Sequence, residues 1–202
     1  MDKDQRIKQI KKKTFNLITH NGSMDSIRTK DIAKAIGASE ATMFKYFDSK
    51  EDILESVIKE YIQSRPLNFN AEEVTTLKDF KKSLHKILDF TFDTSSNRNK
   101  NVSLIIQTSL KKHPISNWNY KNLKDEVWSF IENRIEYGKK HWNFAKSIDS
   151  KIQARLFYYA TVMFYIQMEI FGSKSIEKFD YKKVKKIHIE NFIKILIKNP
   201  KN

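Results

Sequence analysis

The residues best suited to chemistry lie in one run, Thr29-Lys-Asp-Ile-Ala-Lys-Ala-Ile-Gly-Ala-Ser-Glu-Ala-Thr-Met-Phe-Lys-Tyr-Phe47. Thr29 suits the N-cap of a short helix carrying Ile32, Ala33 and Ile36, with Asp31 favourable in its first turn. Gly37 follows where a left-handed residue would end that helix. Ser39 can cap a second helix, which carries Met43 and Phe47. Turning the apolar residues inward leaves Glu40, Ala41, Thr42, Lys45 and Tyr46 near the outer face. A helix entering the DNA major groove, about 12 Å wide, must be narrow and polar at its leading end. Ala41 and Thr42 meet that requirement, and Lys45 supplies a cation one turn further on. Lys45 suits a guanine edge, while Ala41 or the Thr42 methyl suits a thymine methyl.

Other chemistries lack their residues. There is no cysteine, so no disulfide, thiolate nucleophile or cysteine-based zinc site is expected. The five histidines, at 20, 85, 113, 141 and 188, never fall two to one helical turn. No glycine-rich phosphate loop or nucleophile elbow is present. The expectation is therefore no catalytic residue, no metal and no cofactor. The aromatic set Trp118, Trp128, Trp142, Phe157 and Phe164, with Met168, could line an apolar ligand pocket. Each of these also reads as ordinary helical core.

Helices must position all of this. With 4 Gly and 3 Pro against 14 Phe, 8 Tyr and 3 Trp, long uninterrupted segments and a sizeable core favour an all-α chain. Ile7, Ile10, Phe15, Leu17 and Ile18 predict a helix over 6–20, broken at Gly22-Ser23. Asp48 and Glu51 form a capping-box pattern for a connecting helix with Ile53, Leu54, Val57, Ile58 and Tyr61 on its apolar face. Pro66 and the polar run to Thr76 mark a boundary. A stripe from Leu77 to Leu88, a loop over 93–101, a short helix over 102–110 and long helices over 122–142, 149–171 and 180–198 complete the reading.

The run Thr29, Ile32, Ala33, Gly37, Ser39, Thr42, Phe47, Lys50, Glu51 and Leu54 resembles the TetR family of bacterial regulators, in one uninterrupted spacing within residues 6–58. The resemblance implies a three-helix DNA-binding domain with a helix-turn-helix, and a C-terminal helical bundle for regulation and dimerisation. It divides the chain into 1–47 for DNA binding, 48–65 as the connecting helix and 66–202 as the ligand-binding and dimerisation part. It implies phosphate contacts from Thr29, Tyr46 and Lys50, and groove contacts from Glu40, Ala41, Thr42 and Lys45, beside the cap Ser39. The family usually has Tyr where Phe44 stands, and Phe44 cannot donate its hydrogen bond to a phosphate. The implied partners are double-stranded DNA bearing a near-palindromic operator, a second copy of the chain and a small ligand. Regulation would be repression relieved by that ligand.

The chain carries a net charge of +14, with +3 in residues 1–65 and +11 in 66–202, so charge alone permits nucleic acid without demonstrating it. Lys11-Lys12-Lys13 reads as a solvated helix face. The segment 149–171 is apolar around much of its circumference, and 180–198 adds a further apolar face, so the last two helices are expected to pair between copies. The aromatic supply favours an apolar or aromatic ligand, anionic if the body's charge lines its site. No apolar run reaches a membrane span and the first residues lack a signal peptide's apolar stretch, so no membrane partner and a cytoplasmic location are expected. Two alternatives stay open: an architectural or division-linked DNA binder of the same fold without a ligand, and a helical enzyme with an accidental likeness over 29–54.

Overall fold

The computed structural model describes residues 2–21, 26–63, 69–93 and 96–197. Among these the chain is all-α, apart from one isolated antiparallel bridge between Phe144 and Ile197. It divides into two compact units, one of Met1–Pro66 with Ser95–Asn119, the other of Leu67–Thr94 with Tyr120–Asn202.

The first unit contains α1 (Lys3–Asn21), α2 (Thr29–Ile36), α3 (Glu40–Met43), α4 (Lys50–Gln63), α6 (Ser96–Leu110) and the start of α7 (Pro114–Leu123). Ile10 and Ile18 of α1, Ile32 and Ile36 of α2, Met43, Phe47, and Ile53, Leu54, Val57 and Ile58 of α4 form one buried core. Leu104 of α6 and Ile115 of α7 are buried in that same core, with Trp118 half-buried against it. The division expected at 47/48 and 65/66 follows function; packing instead groups 95–119 with the N-terminal helices.

The second unit contains α5 (Leu77–Thr91), α8 (Ser129–His141), α9 (Ser150–Tyr165) and α10 (Tyr181–Leu196). Phe80, Leu84, Ile87 and Leu88 of α5, Ile131 and Ile135 of α8, Phe157 and Tyr165 of α9, and Phe192 and Leu196 of α10 are buried there. Two π-helical turns interrupt the regular helix, at Lys124–Trp128 ahead of α8 and at Ile166–Ile170 after α9. Asp149 caps α9 by accepting the Ile152 N–H at 3.0 Å, and Asp180 caps α10 by accepting that of Lys182 at 2.9 Å.

Several expectations are corrected. The segment 93–101 is not a loop throughout, because α6 starts at Ser96. Pro114 opens α7 instead of ending a helix, since the first helical position needs no N–H donor. The helix expected from 122 therefore begins at Pro114 and runs through the π turn to His141. The breaks at Gly22-Ser23 and at Pro66, and the end at Lys198, lie outside the described residues. Among the described residues no helix is long and apolar enough to cross a membrane.

Candidate nucleic-acid interface

The interface is built on α2 and α3. Gly37 takes φ 67°, and the N–H groups of Gly37 and Ala38 close the end of α2 on the carbonyls of Lys34 and Ala33 at 3.2 and 3.0 Å. A side chain at Gly37 would be strained in that left-handed conformation. Ile32, Ala33, Ile36 and Met43 are all buried, which fixes the angle between the two helices.

The cap of α2 differs from the expectation. Arg28 occupies the N-cap and Thr29 is the first helical residue. The Asp31 carboxylate accepts the Arg28 N–H at 3.1 Å and pairs with its guanidinium at 3.1 Å. Those bonds from Arg28 hold the Asp31 carboxyl below its ordinary range. Thr29 is thereby released from capping, and its hydroxyl donates to the Glu40 carboxylate at the start of α3. A hydroxyl has one proton to donate, so in this conformation Thr29 cannot also donate to a phosphate.

Ser39 caps α3 as expected. Its Oγ accepts the Thr42 N–H at 3.1 Å and lies 2.9 Å from the Thr42 hydroxyl. The helix itself is short, ending at Met43, so Phe44, Lys45 and Tyr46 lie in the turn that follows and Phe47 beyond it. Glu40, Ala41 and Lys45 are exposed, Thr42 and Tyr46 half-buried, and Tyr46 packs against the core. Phe44 is 42% exposed on this surface. The connecting helix opens two residues later than expected: Ser49 Oγ accepts the Asp52 N–H at 3.0 Å and the Asp52 carboxylate accepts the Asp48 N–H at 3.3 Å. Asp52 thus takes the role expected of Glu51, and Lys50 is the first residue of α4. Lys11 pairs with Glu60 at 3.1 Å, while Lys12 and Lys13 are exposed, as a solvated helix face requires.

The six expected pocket residues are not brought to one cavity. Trp118 belongs to the first unit. Trp128 is fully buried among Tyr120, Tyr158 and Tyr159, under the Arg155 guanidinium at 5.0 Å. Trp142 stacks on Phe80 at 5.5 Å and donates its indole N–H to the Thr75 carbonyl at 3.2 Å. Phe157 stacks on His188 at 4.6 Å, and Met168 is buried in the second π turn. Phe164 does line an open groove of about 460 Å³ between α9 and α10, with Phe92, Phe179, Lys183, Ile187 and His188. Among the described residues no group of three His, Cys, Asp or Glu is placed to hold a metal.

The profile of bacterial regulatory proteins of the tetR family matches residues 12–57, which span α1 to α4. The nucleoid occlusion factor SlmA of Actinobacillus pleuropneumoniae is 29% identical over 89 residues, 43% of this chain and 44% of that one, so the match spans less than half of that relative. Two solved structures share the fold along almost the whole chain. NalD, the secondary repressor of the MexAB-OprM efflux pump in Pseudomonas aeruginosa, has a TM-score of 0.67 at 11% identity, covering 98% of this chain and 100% of that one. FadR of Bacillus subtilis, in complex with stearoyl-CoA, has a TM-score of 0.63 at 19% identity, covering 93% and 98%. With the Gly37 turn, the capped α3 and its exposed polar tip in the matched segment, the N-terminal helices are a helix-turn-helix DNA-binding domain of the TetR family, followed by a helical C-terminal domain that shares the fold of TetR-family structures.

Proposed function

We propose that the chain is a repressor that binds a near-palindromic operator as a homodimer and leaves it when a small apolar or aromatic molecule occupies the C-terminal unit. The observation that carries this reading is a stripe on α9. Ile152, Leu156, Tyr159 and Met163, at spacings of four, three and four, are 55, 58, 47 and 57% exposed in the single chain. An apolar row of that length on a soluble surface calls for a partner, and a second copy supplies the same row. Ile187 and Ile195 of α10 are also exposed. Two-fold pairing gives two α3 tips and hence an operator with inverted half-sites.

Ligand control is supported by likeness and by chemistry. NalD is named a repressor and FadR was solved with stearoyl-CoA. The groove of the second unit offers aromatic walls, with Lys183, His188 and the opposing Asp180 at its polar positions, which suits an apolar or aromatic molecule with few polar groups. Coupling of about 1–3 kcal/mol between ligand and operator would weaken DNA binding by roughly 5–150-fold, and operator would weaken ligand binding by the same factor. The test is to select bound DNA from the genome, then titrate the operator with and without binders found by thermal-shift screening. A ligand that fills the C-terminal unit and leaves operator affinity unchanged refutes the coupling. The likeness to SlmA favours a second reading, a DNA binder that acts at many dispersed sites without a small ligand. Ligand-insensitive occupancy of dispersed sites is the outcome that selects it.

A further inference from the structure

The segment 95–119 was expected in the ligand-binding part, yet it packs into the DNA-binding unit. It contains Arg98, Lys100, Lys111 and Lys112 and no acidic residue, so it raises that unit's net charge from +3 to +7. Two of these cations sit at the turn between α6 and α7. Lys111 and His113 line one small cleft with Lys50 and Glu51, the first turn of α4. Lys50 is the residue assigned above to the DNA backbone.

The turn is held in a costly conformation. Lys112 has φ 55°, the left-handed position after a helix that glycine usually fills. A side chain there crowds the following carbonyl oxygen, so the conformation is strained for lysine. The Lys112 N–H donates to the Ser109 carbonyl at 3.1 Å and the His113 N–H to that of Thr108 at 2.9 Å. His113 Nδ1 accepts the Ile115 N–H at 3.2 Å, which ties the turn to α7. Ile115 is buried in the core that also contains Met43 and Phe47 of the recognition segment. Both lysines are exposed, and one core therefore fixes them and the recognition segment together.

We propose that Lys111 and Lys112 form a second phosphate-contacting element, extending the DNA backbone footprint from Lys50 onto the α6–α7 turn. This rests on the operator reading above. Glu51 lies in the same cleft, but the segment 95–119 adds four cations and no acidic residue to the unit, a positive surplus that suits a phosphate row. Because such contacts carry no sequence information, the turn adds affinity and register without specificity.

The test uses the full-length protein, the parent's selected operator and an unrelated duplex, each titrated over a range of salt. Lys112→Gly removes the charge and relieves the left-handed strain, so its thermal midpoint should stay level or rise. Its log-affinity against log-salt slope should become shallower by about 0.9 for each bound chain, about 1.8 for the dimer, on both DNAs, and K111A/K112G by more than that. A parent-like slope in both variants overturns the proposal, whatever the thermal midpoint does. A loss confined to the selected operator also overturns it, by making the turn a base reader. If the variants lose an acidic protein partner and keep the parent slope on DNA, the patch serves protein, not phosphate. A parent without a preferred site fails the operator reading at the first titration, before any variant is compared.

Discussion

At the scale of single residues, the operator reading proposed above assigns two kinds of DNA contact to α3 and its turn. Lys45 is exposed beyond the end of α3, whereas Lys50 is half-buried at the start of α4. Lys45→Ala is expected to cost about 1–3 kcal/mol on the selected operator and to relax preference at one base pair. Lys50→Ala should weaken all DNA alike and flatten the salt dependence by about one charge for each bound chain. Quantitative band shifts on operator, single-base variants and unrelated DNA read both, and parent-like binding by both variants would remove the assignment. Phe44 allows a gain of function. Phe44→Tyr adds a hydroxyl to a side chain already 42% exposed on this face, so affinity for every sequence should rise by up to about 1.5 kcal/mol. Glu40 is the residue whose surroundings spacing alone did not reveal. Thr29 looked like a cap with a hydroxyl available for phosphate, but Arg28 is the cap and the Thr29 hydroxyl goes to Glu40. A contact between two helix starts eleven residues apart depends on the angle between α2 and α3, which no local pattern states. If Glu40 accepts from cytosine, Glu40→Gln should lose a cytosine preference at one position, and selection from random duplexes reads that directly.

Among elements, the helix-turn-helix was legible because each of its signals is local: Gly37 as terminator, Ser39 as cap, and apolar residues at helical spacing. What was not legible depends on contacts between distant segments. The buried Leu104 and Ile115 join the N-terminal core across more than 40 residues of chain, so 95–119 could not be assigned to it from periodicity. The π turns at Lys124–Trp128 and Ile166–Ile170 shift the helical register by one residue with no signature in residue type. The aromatic set has the same character: its members share a composition and pack against different neighbours, with Phe164 lining the groove between α9 and α10. Gly138 illustrates a close approach that composition hides. A Cβ there would lie 2.2 Å from the Phe144 ring and 2.9 Å from that of Trp142, so the glycine lets the chain after α8 fold back over its last turn. Gly138→Ala must displace a buried aromatic, and overpacking of this kind costs about 1–3 kcal/mol against a small gain in helix propensity. Thermal or urea denaturation should register the loss. A variant as stable as the parent would mean that Phe144 moves aside freely.

At the scale of the whole molecule, the decisive quantity is whether two copies act together. Ile152, Leu156, Tyr159 and Met163 are about half exposed in one chain, so that exposed part of their apolar surface contributes nothing to its own folding and is available to association. In a two-fold interface each residue near the axis meets its own copy or a close neighbour. Leu156→Lys combined with Met163→Lys therefore places four cations in one interface while leaving each chain's core intact. The variant should remain helical, with a thermal transition that no longer depends on protein concentration, and should scatter light as a monomer at micromolar concentration where the parent should scatter as a dimer. Its operator binding follows from linkage of two half-sites. A dimer binds its second half-site at an effective concentration set by the tether, and losing that tether costs about 10²–10⁴ in affinity without removing any contact to DNA. Binding to one isolated half-site should then match that of the parent, because α2 and α3 are unchanged. The half-sites selected by the parent should lie about 34–36 Å apart, or a multiple of that, in inverted orientation. A monomeric parent, or a double variant that still dimerises and still binds the full operator tightly, would show that the α9 stripe is not the surface that joins two copies.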